Sequence, residues 1–139
     1  MSNYLNILAA ICKYGLRQKQ GTYVVVTGIL VNDEGKYLIA KRADWEKAFP
    51  GKWTVPGEKL EALDYALREK DTSDHWYNVL ESLLKREVKE EVGLEIYDIG
   101  YVTSLVYFRE DKIPTLIISL YARPKSEEVV LDNALTDYK

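Results

Sequence analysis

The chain has 139 residues, 47% of them hydrophobic, which is enough to form one globular domain with its own core. Its 19 basic and 22 acidic residues give a formal net charge of −3, so the composition indicates no surface for binding nucleic acid. The single cysteine, Cys12, excludes an intramolecular disulfide and suits a reducing cytoplasm, and no apolar run approaches the ~20 residues that would span a membrane.

The first patterned segment is apolar and predicts a helix over residues 3–17 that packs against the rest of the domain. No basic stretch precedes it, and Lys13 and Arg17 interrupt or bound the apolar run, which favours a packing helix over a signal peptide. The apolar surface of this helix would also suit a homodimer interface.

The next segment predicts a hairpin. Residues 22–31 are rich in Val, Ile and Thr and predict a buried strand, and residues 36–42 predict a second strand. The sequence Asn32-Asp33-Glu34-Gly35 between them has turn chemistry, so we expect the two strands to pair. A loop over residues 43–52 follows, and residues 53–55 predict a short strand.

Helices and strands alternate in the second half of the chain. Residues 61–70 predict a short helix, and residues 74–92 a longer one that Asp74 caps and Gly93 ends. Further strands are predicted over residues 96–108, 115–122 and, more briefly, 129–131. This mixture predicts a layered α/β domain.

The longer helix carries acidic residues on an unusual face. At about 100° per residue, one side of the helix is polar and the other apolar. Three glutamates, Glu87, Glu90 and Glu91, fall in the apolar sector. Like charges on a covered face repel one another and are costly to desolvate unless a cation neutralises them. The pattern therefore predicts a divalent metal site, with a solvated run of charges as the alternative. Oxygen ligands favour Mg²⁺ first and Mn²⁺ second.

The sequence Arg86-Glu87-Val88-Lys89-Glu90-Glu91-Val92-Gly93-Leu94 resembles the second half of the Nudix box, R-E-U-x-E-E-x-G-U, in which U is aliphatic. Every specified position matches. The segments 41–42 and 51–57 are similar to the strand and loop that precede the box in this family. The resemblance extends over residues 23 to about 122. It implies a Nudix-like α/β fold, a mixed β-sheet sandwiched between helices (α/β/α), as one domain over residues 1–139.

The first half of the box departs from the family pattern. Glu58 stands where a glycine is usual, and Asn78 stands where a glutamate is expected. Asp64 matches the position of that glutamate if residues 65–77 are an insertion, which a loop tolerates at small entropic cost. A glycine at position 58 would matter if the backbone there needed a positive φ, which Glu adopts reluctantly.

The insertion leaves the partner of Arg86 to be identified. The resemblance implies that a glutamate normally pairs with this arginine. The candidates here are Asp64, Glu61 and Glu90. The chain stops at Lys139 without a Gly or Pro boundary, so a truncated C-terminus and a short family member are both open.

The resemblance implies hydrolysis of a diphosphate linked to another group, such as a nucleotide or nucleotide sugar. Glu87, Glu90 and Glu91 would hold Mg²⁺ together with a backbone carbonyl near Gly57. The implied catalytic residues are Glu87, Glu90 and Arg86, with Glu87 as ligand or base. The loop carboxylates of residues 110–111 are an alternative base, although a solvated turn is the simpler interpretation.

The implied partner is a small nucleotide-type substrate. Its candidate contacts are the phosphate-facing Lys41, Arg42 and Glu58 and the aromatic residues Trp45 and Phe49. Stacking of an aromatic side chain on a base is worth ~1–3 kcal/mol. The altered loop leaves a second hypothesis, a catalytically weakened nucleotide-binding or regulatory module.

Overall fold

The computed structural model describes residues 21–139 and four isolated helical positions, Leu5, Leu8, Ala9 and Cys12. The rest of the predicted helix over residues 3–17, and the homodimer interface assigned to it, lie outside the described residues. Within the described part, strands β1 to β7 span Tyr23–Leu30, Ala40–Arg42, Trp53–Thr54, Gly57–Lys59, Ile96–Phe108, Pro114–Pro124 and Leu135–Tyr138. Helices α1 and α2 span Leu63–Ala66 and Val79–Val92. The mixed α/β prediction is confirmed.

The strands form a main sheet in the order β4-β1-β6-β5 and a smaller sheet in the order β3-β2-β7. β1 and β6 are parallel, and the other pairs are antiparallel. The predicted hairpin between residues 22–31 and 36–42 is wrong, because β4 and β6 occupy both edges of β1. That pairing survives only at its turn end, as an isolated bridge between Val31 and Tyr37 and a 3.0 Å hydrogen bond from the Leu38 N–H to the Leu30 carbonyl, and β2 belongs to the smaller sheet.

Helix α2 begins later than predicted, at Val79 instead of near Asp74. Asn78 has a left-handed backbone, with φ 51°, so a right-handed helix cannot continue through it. The residues before it are held by other bonds, such as the 2.8 Å hydrogen bond from the Tyr77 N–H to Asp71 Oδ2. Gly93 ends the helix as predicted, with φ 73° and its N–H bonded to the Lys89 carbonyl.

The core lies between α2 and the main sheet. Leu84 and Val88 of α2 and Val26 and Leu30 of β1 are fully buried within it. Burying each such side chain stabilises the fold by ~1.5–3 kcal/mol. Gly28 allows the helix to lie close, because a Cβ at this position would come within 2.7 Å of the Leu84 side chain. The buried contact fixes which face of α2 meets the sheet.

The tail closes the end of α2. Residues 129–131 do not form the predicted strand. Instead, the Val130 N–H bonds to the Val92 carbonyl and the Asp132 N–H to the Glu91 carbonyl, at 2.9 and 3.0 Å. These bonds satisfy carbonyls that a helix C-terminus otherwise leaves unpaired. The strand forms a few residues later, as β7. No helix within the described residues is both long and apolar enough to cross a membrane.

Candidate active site

Helix α2 presents its three box glutamates in three different environments. Glu87 is buried, with 6% of its surface exposed, and Glu91 is half-buried. The side chain of Glu90 is 60% exposed, so the prediction that it shares the covered face is wrong. The reason is the helical turn: Glu90 lies about 60° beyond Glu87, away from the core.

Arg86 links the helix to the loop that precedes it. Its Nη2 and Nε atoms donate to Oε1 of Glu87, at 2.8 and 3.2 Å, and its Nη1 donates to Oδ1 of Asp64 at 2.7 Å. Glu90 lies farther off, with 3.8 Å between the Arg86 Nε and its Oε1. Of the candidate partners named above, Asp64 therefore makes the direct hydrogen bond. Hydrogen bonding to Glu87 and then to Asp64 raises the pKa of Arg86, which stays charged.

Asp64 is itself held in place. Its Oδ2 accepts a 2.6 Å hydrogen bond from the Glu61 N–H. Burial alone would raise the pKa of this carboxyl, but the bonds from Glu61 and Arg86 outweigh burial and lower it. The carboxylate is therefore charged near neutral pH and fully available to Arg86.

Residues 65–77 close on themselves and return the chain to α2. The Arg68 guanidinium bonds to Asp71 at 3.0 Å and to the Tyr77 carbonyl at 2.6 Å. The Trp76 indole donates to the Arg68 carbonyl, and its ring lies 5.4 Å from that of Tyr65. This closed loop brings Asp64 beside Arg86 although 22 positions separate them in the sequence.

We expect Asp64→Asn to lower turnover about tenfold, the lower end of what loss of an outer partner of a catalytic group costs. Arg86 would keep its bond to Glu87 but lose the charged anchor on its other side. Steady-state kinetics checks this expectation, with Asp64→Glu as the charge-retaining comparison. Wild-type turnover in Asp64→Asn would show that Arg86 needs no such anchor.

Gly57 brings β4 against β1 and beneath Glu91. A Cβ at this position would collide with the Val26 carbonyl oxygen and come within 2.9 Å of the Thr27 Cα. The Gly57 N–H donates to Oε2 of Glu91 at 3.3 Å. The next residue, Glu58, lies in β4 without a positive φ, so its replacement of the usual glycine strains no backbone.

Burial and neighbouring carboxylates disfavour the ionisation of Glu91 and Glu87. Burial is the largest cause that raises the pKa of Glu91 to about 8, and repulsion by Glu87, Asp132 and Glu58 adds to it. Burial also raises the pKa of Glu87, with further repulsion from Glu90 and Glu58, although Arg86 opposes this shift. Glu58 and Asp132 thus belong to the same acidic cluster.

This donor set fits a hard divalent cation. It is made of carboxylate oxygens that are partly withdrawn from water and repel one another, the arrangement a cation would relieve. Within the described residues, no three His, Cys, Asp or Glu side chains are already arranged to hold a metal ion. Both hydrogen bonds from Arg86 to Glu87 go to Oε1, so Arg86 does not occupy the other carboxylate oxygen, Oε2.

Without metal, we expect the protein to lose stability as pH rises from about 5 to 8. The folded state keeps a proton on Glu91 up to pH about 8, whereas the unfolded chain releases it near the ordinary value of 4.5. The folded state therefore binds more protons in this interval, and the unfolding free energy falls by about 2–4 kcal/mol. Urea unfolding in EDTA at pH 5, 6.5 and 8 measures this fall. A flat or rising profile would contradict the buried acidic cluster.

The other predicted contacts lie on the smaller sheet. Arg42 holds the 43–52 loop, since its Nε donates to the Ala48 carbonyl at 2.7 Å and its Nη2 pairs with Glu46. Lys41 lies beside it on β2. Trp45 and Phe49 are 71% and 67% exposed. These contacts connect neither Lys41 nor Arg42 to α2, and the side chains of Trp45 and Phe49 are exposed to solvent.

Two further side chains make contacts away from α2. Trp53 is 39% exposed, and its ring packs under the Lys139 ammonium at 4.3 Å. Asp111 accepts the Ile113 N–H and pairs with Arg109, as a turn residue would. No sequence pattern indicated Asp132, which lies near Glu91 because the tail folds back over the end of α2.

Comparisons with known proteins bear on the family and the fold. The NUDIX domain family model matches residues 21–136. Nucleoside triphosphatase NudI from Salmonella agona is 28% identical over 102 residues, covering 73% of this chain and 58% of that protein. The chain thus spans 58% of the length of this curated relative.

Two solved structures show the same fold. MutT NUDIX hydrolase from Burkholderia pseudomallei superposes with a TM-score of 0.65 at 18% identity, covering 86% of this chain and 82% of that one. The NUDIX domain of Shewanella oneidensis NrtR, solved with ADP ribose, gives a TM-score of 0.61 at 17% identity and covers 95% and 80%. Both likenesses confirm the predicted α/β fold.

Proposed function

The chain belongs to the NUDIX domain family, and from this premise we propose that it hydrolyses the diphosphate linkage of a nucleotide or nucleotide sugar with the help of a divalent cation. The observation that carries the proposal is the acidic cluster on α2, where burial and mutual repulsion raise the pKa of Glu91 to about 8. Partly buried carboxylates that repel one another cost a helix stability, and a bound cation would offset that cost.

Glu87, Glu90 and Glu91 are the proposed ligands of Mg²⁺, with Mn²⁺ as second choice. The backbone carbonyl of Gly57 remains the proposed fourth contributor, because the Gly57 N–H already lies against Glu91. When bound, the ion would neutralise phosphate charge and favour ionisation of a water molecule. Glu58 adds negative charge beside these ligands.

Arg86 and Asp64 are proposed to position Glu87, and a box glutamate is proposed to accept a proton. Arg86 holds Glu87 through its Oε1 atom, and Asp64 holds Arg86 from the other side. Glu87 remains the proposed ligand or base, and Glu90 is proposed to have two roles: besides binding the ion, its exposed and loosely paired carboxylate is open to water and can accept a proton from it. The net reaction consumes one water and breaks one bridging P–O bond.

The substrate class is also a proposal. The relative NudI is named a nucleoside triphosphatase, and the NrtR domain was solved with ADP ribose. Both names point to compounds in which a diphosphate carries a nucleoside. The exposed Trp45 and Phe49 remain candidates for contacts with the nucleobase, and Lys41 for phosphate.

A panel of nucleoside triphosphates, diphosphates and nucleotide sugars tests the proposal. Phosphate release is measured with and without added inorganic pyrophosphatase, and with Mg²⁺, Mn²⁺ or EDTA. We expect turnover of at least one member that EDTA abolishes. Failure of every member, with calorimetry showing that a nucleotide binds, would select the binding module instead. In that case, hydrolysis gained by Glu58→Gly would show that the altered loop is the cause of the missing turnover.

A further inference from the structure

The two outer strands of the main sheet differ in how well they are protected from pairing with another chain. β4, at one edge, is three residues long and contains the charged residues Glu58 and Lys59. β5, at the other edge, is 13 residues long. It pairs with β6 on one side, and no strand of the described residues lies on its other side. An edge of this length offers backbone groups to a further strand, whereas a short, charged edge discourages one.

Apolar side chains are exposed on both faces of β5. Ser104 lies beside Ile118, which packs against the core, so Val106, two residues further on, belongs to the face of the sheet that α2 covers. Val106 is nevertheless 57% exposed. Leu105 and Tyr107 belong to the opposite face and are 50% and 40% exposed. A helix laid on the sheet would cover one of these faces only, whereas a strand added at the edge would shield side chains on both.

The middle of β5 lacks the residues that usually protect an edge strand. Residues 99–108 contain no charged residue and no proline. Lysine, proline and inward-pointing charges are the usual means by which a sheet avoids pairing with another chain. Between Thr103 and Phe108 the strand follows β6 in unbroken register, and its two irregularities lie nearer its start, before Gly100 and before Thr103. This part of β5 is therefore a regular, apolar edge of the kind to which another strand can be added.

The order of residues along β5 suits pairing with a second copy of the same strand. Two copies can pair antiparallel about a twofold axis that crosses the sheet beside Ser104. This axis brings Val106 of one copy near Val102 of the other. It likewise brings Tyr107 near Tyr101. Pairs of β-branched and of aromatic side chains on neighbouring strands stabilise a sheet, and the small Ser104 side chains meet at the axis without crowding.

The charges at the two ends of the run are complementary in the same arrangement. Asp98 precedes the run and Arg109 follows it, and their side chains are 58% and 44% exposed. An antiparallel pair brings Asp98 of each copy near Arg109 of the other, whereas a parallel pair would bring like charges together. Opposite charges on neighbouring strands stabilise their pairing, and like charges oppose it. The strand is thus complementary to itself, which favours a second copy of the chain over an unrelated partner.

We propose that β5 is the interface of a homodimer, in which two copies pair antiparallel along their free edges and join the two main sheets into one. A twofold interface brings the same patch of both copies together, as a strand complementary to itself requires. The inference goes beyond the proposed function and does not depend on it, because it uses no residue of the acidic cluster. Stable interfaces bury ~800 Å² on each partner, and one strand from each copy supplies the low end of this size, so we expect a micromolar dissociation constant.

Sedimentation velocity of the full chain tests the proposal, at concentrations from about 1 μM to 1 mM that lie on both sides of a micromolar dissociation constant. We expect the mass of the wild type to rise from that of a monomer to that of a dimer over this range. Leu105→Lys with Val106→Lys places one charge on each face of the interface and should raise the dissociation constant at least about a hundredfold.

Leu67→Lys with Val130→Lys is the matched control, because these apolar residues lie outside β5 and are 81% and 69% exposed. This control should dimerise as the wild type does. A wild type that stays monomeric at every concentration would overturn the proposal. A β5 double variant that dimerises as well as the control would overturn it too.

Disulfide trapping tests the geometry with a substitution that changes little in volume. Ser104→Cys in a Cys12→Ser background should form a disulfide-linked dimer on oxidation, because the twofold axis brings the two introduced sulfur atoms within bonding reach. Leu67→Cys in the same background should remain monomeric under the same conditions. If Ser104→Cys gave no more linked dimer than Leu67→Cys, the antiparallel arrangement would be wrong.

The N-terminal segment is the competing occupant of this surface, and its exposed cysteine, Cys12, distinguishes the two cases. A Leu105→Cys variant that keeps Cys12 is oxidised at a concentration below the dissociation constant, and its disulfide is located by peptide mass spectrometry. A bond between Cys12 and the introduced cysteine within one chain would show that the N-terminal segment covers β5, and would overturn the proposal. The absence of that bond, together with trapping of the Ser104→Cys dimer, supports the second copy.

Discussion

Replacing Glu91 by Gln is expected to make the protein more stable and far less active. At pH 8 and without metal, the wild-type carboxyl is about half ionised in a site where burial and Glu87 oppose its charge. Gln has the same shape and still offers an oxygen to the Gly57 N–H. We therefore expect the unfolding midpoint in EDTA at pH 8 to rise by about 10 °C. At pH 5, where Glu91 is already protonated, the rise should vanish.

Turnover should fall in the same variant, although its stability rises. Gln carries no charge for a cation, so kcat should fall by about 10²- to 10³-fold, as when one preorganised electrostatic group is lost. Glu81→Gln is the matched control. Glu81 belongs to the first turn of the same helix and precedes Arg86 in the sequence, whereas the box glutamates follow it. Thermal melts and kinetics are measured on both variants. A Glu91→Gln protein with unchanged activity would remove Glu91 from the site.

Gly57→Ala is expected to damage both stability and activity. The added methyl group would meet the backbone of β1 at Val26 and Thr27, and neither backbone atom can move aside as a flexible side chain would. Overpacking of this kind costs about 1–3 kcal/mol. Displacing β4 would also move the Gly57 N–H away from Glu91 and shift Glu58, so turnover should fall at least about tenfold.

Gly21→Ala provides the comparison, because a Cβ at Gly21 would meet nothing within 4 Å. Urea unfolding gives the stability of both variants, and saturating-substrate kinetics gives kcat. Gly57→Ala with the stability of the wild type would mean that β4 adjusts freely. The close packing of this strand would then not be what positions the acidic cluster.

Local patterns predicted several parts of the fold. The Val-, Ile- and Thr-rich composition of residues 22–31 located β1, the strands predicted over residues 96–108 and 115–122 match β5 and β6, and Gly93 marked the end of α2 because it can adopt a positive φ. The helical period also placed Glu87 among buried residues. These features depend on neighbours that are close in sequence, which is why sequence patterns reveal them.

Other parts depended on contacts between distant residues. The pairing of β1 with β4 and β6, instead of with β2, is decided by which strands cover the core. Asp64 reaches Arg86 only because residues 65–77 close on themselves. The ring of Tyr23 in β1 likewise contacts Lys59 of β4 and Arg109, which follows β5. No rule of sequence spacing predicts contacts of this kind.

The most direct test of the account is the binding of Mn²⁺ to the folded protein, measured by electron paramagnetic resonance as the loss of the free-ion signal. We predict that the wild type binds Mn²⁺, that Mg²⁺ competes for the same site, and that Glu91→Gln and Glu87→Gln each weaken binding by about tenfold or more. Glu81→Gln should bind as the wild type does. Binding that all three variants retain unchanged would contradict the claim that the acidic cluster of α2 is a metal site.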